Sequence, residues 1–250
     1  MDMVYANTIN ELQKIFLRKK NLILGIVTVI FSIALPVIFT FFQQEFGIAA
    51  IREAYYPVFI LNTFSTSILP LLLFMIVTDI FVGEIGDRTV KVSLLRPISR
   101  FKVYLSKHLA VIIYIIIHLL TVFLFSFITS MLLNNQNMLA GFMDGLKSYS
   151  VAVIPAIGLL IFTGFITQFF KNSSGALITL IFIYLAMQFI PVLLPSLSKV
   201  LFTSYMDWHL LWLANNSIEL SQLLLIFMLL LSYIITFAAA GFYLFDRKNI

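Results

Sequence analysis

Apolar residues in this chain fall in long unbroken runs rather than in alternation. Six stretches stand out: approximately Asn21–Phe42, Pro57–Val82, Leu109–Leu133, Tyr149–Phe170, Ala176–Pro195 and Gln222–Phe245. A helix crosses a hydrocarbon core of about 30 Å with roughly 20 apolar residues, and each stretch has that length. Backbone amides cannot stay unpaired in lipid, so spanning segments are helices or closed-barrel strands. Barrel strands alternate apolar and polar positions. The run from Val111 to Ile117, VIIYIII, does not. The pattern therefore predicts an all-α polytopic membrane protein with six transmembrane helices.

The segments between the runs add two further elements. Residues 1–20 read as an amphipathic interfacial helix ahead of a six-span domain covering 21–250. Thr8-Ile-Asn-Glu11 fits a capping box. Ile9, Leu12, Ile15 and Phe16 recur at helical spacing, with Lys14, Arg18, Lys19 and Lys20 on the basic side. The second element is the loop 83–107. Asp87 or Thr89 opens a short helix there, and Pro97 ends it. Val90, Leu94 and Leu95 form an apolar ridge on that helix, and Ser99 caps the next helix, which runs through Lys107 into span three. Such a ridge suits either a docking element or a helix lying on headgroups. At the other end, segment 196–221 carries Trp208-His-Leu-Leu-Trp212, a spacing suited to an interfacial aromatic belt.

Composition narrows the class. Of the 250 residues, 61% are hydrophobic and 11% charged, and the mean hydropathy is +1.05. A soluble chain of this size has too few polar residues to cover that much apolar surface. There is no cysteine, which excludes a disulfide framework and thiol chemistry. The net charge of +5 follows from topology rather than from nucleic-acid binding. Thirteen of the 16 basic residues fall at one end of the predicted spans, the exceptions being Arg52, Lys147 and Lys199. The positive-inside rule places that end, with both termini, in the cytoplasm. Span one lacks a small-residue cleavage site and is expected to stay as an anchor.

Candidate chemistry is sparse. No P-loop is present, so the chain has no ATP site of that kind, and no metalloprotease motif occurs. His118 is expected to bond to a neighbouring helix. Asp79, an acidic residue at the basic end of span two, is expected to pair with Arg88 or Lys91 or to reach the headgroup water. Charge is missing from the span centres, which disfavours an ion-coupled carrier. Asn62, Thr63, Ser65, Thr66 and Ser67 cluster ahead of Pro70 in span two, and Gln188 lies in span five. Small polar residues in a span pack against other helices or line a path. Pro191 and Pro195 are expected to break the end of span five.

The loop resembles that of bacterial ABC-2 type transporter permeases. Glu84, Thr89, Leu94, Leu95, Pro97, Ser99-Arg100 and Lys107 follow that family's order of an acidic residue, a Gly-Thr, a leucine pair, a Pro-x-Ser-Arg and a later lysine. Arg88 stands where the family has glycine. The resemblance implies a permease subunit of an ATP-driven exporter in the bacterial cytoplasmic membrane. Val90 to Arg96 would form the coupling helix, seated in a groove of a separate ATPase subunit that binds ATP and Mg. Arg96 and Arg100 would pair with acidic groups of that subunit. A second permease, identical or homologous, would complete the path. Asn62, Ser65, Thr66 and Gln188 would then line it, and 196–221 would hold short re-entrant helices. Chains of this size resemble exporters of amphipathic peptide toxins, such as the staphylococcal exporters of phenol-soluble modulins. The implied partners are therefore the ATPase, the second permease, the lipid bilayer and an exported peptide; polysaccharides, lipids and drugs are the alternative cargo.

Overall fold

The computed structural model describes residues 2–46, 56–83, 99–133, 138–213 and 219–248. All secondary structure among them is helical. Helix α1 is Asp2–Leu17 and α2 is Lys19–Phe46. Span two is composite: α3 is Tyr56–Thr63 and α4 is Leu69–Thr78, with π-helical turns at Phe64–Ile68 and Asp79–Gly83. Then come α5 (Arg100–Leu133), α6 (Met138–Thr167), α7 (Ser173–Leu193) and α8 (Leu220–Arg247). Three 3-10 turns at Pro195–Lys199, Phe202–Tyr205 and Trp208–Trp212 connect α7 to α8. Six helices are long and apolar enough to cross a membrane.

Several boundaries differ from the sequence reading, each for a local reason. Helix α1 starts at Asp2, so Thr8 lies inside it. Its hydroxyl bonds back to the Val4 carbonyl at 2.8 Å instead of opening a capping box. Span four begins earlier than Tyr149 because Asp144 and Lys147 continue the helix. Pro191 lies within α7; the break comes at Leu194, and Pro195 starts the following turn. Ser99 does cap α5, accepting from the Lys102 amide at 3.4 Å.

Spans two, three and four form the centre. Spans two and four are buried over 67% and 61% of their most apolar windows, against 17%, 17% and 6% for spans one, five and six. Those three present Ile26, Ile30, Phe182, Phe189, Leu225 and Met228 outward. Span three packs against α1, α2, α3 and α6. Close approach is possible where side chains are absent: a Cβ on Gly164 of span four would come within 2.6 Å of His108 Nε2.

Two prolines shape the interior. Proline has no amide hydrogen, so it leaves the carbonyl four residues earlier without its α-helical donor. Pro70 does this to Thr66, and the Tyr184 hydroxyl of span five donates to that carbonyl at 2.7 Å. Pro155 does it to Val151, and Trp208 Nε1 donates there at 3.0 Å. The first site coincides with a π turn, a device often found where helices do work. The second corrects the aromatic-belt reading: Trp208 and His209 are 1% and 0% exposed, and only Trp212, at 40%, reaches the surface.

Trp208→Phe keeps most of the packing but removes the donor to Val151. It should cost about 1 kcal/mol, read as a lowered thermal midpoint in detergent, while Trp212→Phe should shift it less. Burial lowers the His209 pKa from 6.5 to about 4. The folded segment thus holds His209 neutral, and its stability falls as pH drops from about 6.5 toward 4. Burial raises the Asp207 pKa, which acts in the opposite direction at the acid end of that window. Trp208 and Trp212 are the chain's two tryptophans. Their emission should therefore move to the red over this window, and the His209→Phe variant should flatten the change.

Candidate functional site

The charged residues gather at the end of the bundle where α1 meets the spans. Helix α1 turns its polar stripe inward: Asn7, Thr8, Glu11 and Ile15 are buried, while Tyr5 and Leu17 face out. Glu11 meets Lys107 of span three at 3.3 Å, and the two side chains are 1% and 2% exposed. Lys107 Nζ also donates to the Ile80 carbonyl at 3.2 Å. That carbonyl lies in the π turn closing span two. Lys14, on the outer side, donates to the second Glu11 oxygen at 2.8 Å. A buried charge pair is favourable only when its remaining valences are filled. Here the carboxylate has two cations, and the ammonium has a carboxylate and a carbonyl.

The corner between α1 and α2 is fixed beside this pair. Asn21 Nδ2 donates to the Ile15 carbonyl at 2.7 Å, satisfying a helix-end acceptor. Asp79, 12% exposed at its side chain, pairs with Arg18 at 3.1 Å and with Lys20. These partners come from the α1–α2 corner. Ser106 adds a 3.4 Å bond to the Val4 carbonyl of α1.

Arg100 reaches the C-terminal end of α8. Its guanidinium donates to the Asp246 carbonyl and, at 3.2 Å, to that of Lys248. It therefore fills acceptors at the C-terminal end of α8, where a cation is favourable. Lys248 reaches Gln168 of span four at 3.4 Å, and its burial lowers its pKa to about 8. Lys107 and Arg100, both expected at an ATPase surface, thus bond within the bundle. Glu84, Arg88, Thr89, Val90, Leu94, Leu95, Arg96 and Pro97 lie outside the described residues. Lys91, expected near Asp79, does too.

The polar residues of spans two and five are partly brought together. Gln188 Nε2 donates to the Tyr184 hydroxyl at 2.8 Å, and that hydroxyl donates to the Thr66 carbonyl. Spans two and five thus meet through Tyr184. Ser65 is buried, and Asn62 is half-buried one turn earlier. The Thr66 hydroxyl turns back to the Asn62 carbonyl at 2.9 Å. His118 bonds to the Tyr114 carbonyl of its own helix at 3.1 Å, not to a neighbour. The described residues hold no cluster of three or more His, Cys, Asp or Glu that could hold a metal ion.

Sequence reading missed Glu11 and Tyr184. The signal for Glu11 was an inward polar stripe at positions 7, 8 and 11 of an amphipathic helix. The signal for Tyr184 was its i,i+4 spacing to Gln188.

A family model described as ABC-2 family transporter protein matches residues 9–188 of the chain. The match runs from α1 into span five. No curated protein matches the chain.

Lys107→Met removes the buried partner of Glu11, leaving Lys14 on the outer side, and should destabilise the protein by about 3 kcal/mol. Glu11→Leu combined with Lys107→Met should recover most of that loss. Lys14→Gln, on the exposed side, should cost under about 1 kcal/mol. Thermal unfolding of the purified variants in detergent measures all three.

Proposed function

Because the chain belongs to the ABC-2 family of transporter proteins, we propose that it is the membrane permease subunit of an ATP-driven exporter. In this reading the basic end faces the cytoplasm of a bacterial cell, and both termini lie there. A separate ATPase subunit, carrying ATP and Mg, docks under residues 83–107. Leu94 and Leu95 fill its groove, and Arg96 pairs with its acidic groups. A second permease subunit completes the path. Spans one, five and six, the least buried, offer the surfaces for that pairing.

The observation that carries the reading is the Glu11–Lys107 pair. It ties α1 to the start of span three, where the loop 83–107 ends. The Lys107–Ile80 bond ties the same point to the end of span two, where the loop begins. Any push on the loop therefore reaches α1 and spans two and three together. Arg100 extends the linkage to α8. ATPase closure would move this assembly as one body and re-pack span two against span five through Tyr184. Asp79, held by two cations, is committed to structure rather than to a coupling ion.

The cargo we favour is an amphipathic, antimicrobial or toxic peptide. The support is an apolar bundle with 26 phenylalanines and little charge in its spans.

Co-expression with an ATPase encoded beside this chain should give a complex that hydrolyses ATP. Leu94→Asp should abolish both co-purification and the permease-dependent part of that activity; an intact complex would refute the docking assignment. Vesicles holding the complex should accumulate an amphipathic helical peptide only with ATP. Accumulation driven by an ion gradient without ATP would refute the exporter reading.

A further inference from the structure

One charge cluster at the basic end has no part in the linkage just described. Arg18, Lys20, Lys171 and Asp79, with Val82, Gly83, Asn172 and Ser173, line an open cavity of about 580 Å³. Three distant stretches of chain meet there: the α1–α2 corner, the end of span two and the link between spans four and five. The charges do not balance. Among the described residues one carboxylate faces three cations, two positive charges in excess. Asp79 is engaged by Arg18 and Lys20. Lys171 has no acidic partner among the described residues and is exposed.

The start of α7 also borders the cavity, through Asn172 and Ser173. Asn172 caps the 21-residue helix α7, accepting from the Ser174 amide at 3.1 Å. The first-turn amides of a helix and its positive end favour an anion. The walls end with spans two and five, so the cavity lies at the depth where lipid phosphates sit. Arginine and lysine around one volume suit a tetrahedral oxyanion.

We propose that this cavity binds a phosphate group, held by Arg18, Lys20 and Lys171. The group comes either from the headgroup of an anionic lipid or from free phosphate. Bound there, it joins the start of span five to the α1–α2 corner, each of which also contacts the end of span two. Its presence would stiffen the bundle between its first and fifth spans. The proposal rests on the membrane bundle and is independent of what the protein exports.

The test uses the full chain purified in neutral detergent, with retained ligand read by native mass spectrometry. Phosphatidylglycerol, phosphatidylcholine and inorganic phosphate are the probes. Lys199→Gln, at the opposite end, carries the same charge change as a control. Phosphatidylglycerol should be retained over phosphatidylcholine. Lys171→Gln and Lys20→Gln should each weaken it about tenfold, as the loss of one charge-assisted contact implies. Lys199→Gln should not. Both binding variants should keep the parent's helical circular dichroism. Retention of inorganic phosphate with the same dependence on Lys171 identifies free phosphate as the source; retention of phosphatidylglycerol alone identifies lipid. Equal retention of the bound probe in Lys171→Gln and Lys199→Gln, or retention of neither phosphatidylglycerol nor inorganic phosphate, overturns the proposal.

Discussion

A carboxylate and an ammonium group removed from water hold the basic end of this protein together. Glu11 of α1 and Lys107 of span three are 96 residues apart in the chain. Burying both charges is expensive unless each is fully partnered, and here each has a second partner. The pair fixes the rotation of α1, because turning Glu11 outward would take the carboxylate away from a buried ammonium. That rotation then sets where Arg18 and Lys20 reach, and so what holds Asp79. The corner at Asn21 and the closing turn of span two follow from the same constraint.

Much of the fold was legible in the chain, because lipid allows few backbone solutions. Runs such as VIIYIII decide helix over strand without knowledge of any neighbour. The details that failed were those set by tertiary contact. Thr8 has the spacing of a helix cap, but the helix starts earlier, so its hydroxyl turns to its own backbone. Trp208 and Trp212 have the spacing of an interfacial belt, yet Pro155 creates an acceptor that draws one of them inside. In each case the local pattern was read correctly, and a distant segment offered a competing bond.

The same distinction separates the two parts of the candidate site. The loop between spans two and three carries the family resemblance in its order of residues. The residues that would transmit its motion carry no motif. Glu11 is one acid in a helix with several polar residues, and Tyr184 is one of ten tyrosines. Their importance comes from what they touch, which is why geometry was needed to find them.

The prolines in spans two and four have a consequence for how such a protein diversifies. At each, the backbone bond that would resist bending is missing by covalent structure, and a side chain from elsewhere closes the gap. The stiffness of the joint is thus encoded away from the helix that bends. Exchanging Tyr184 or Trp208 would loosen or tighten a span without altering one residue of it. Related chains could adjust how readily they open while keeping the surfaces of the spans themselves unchanged.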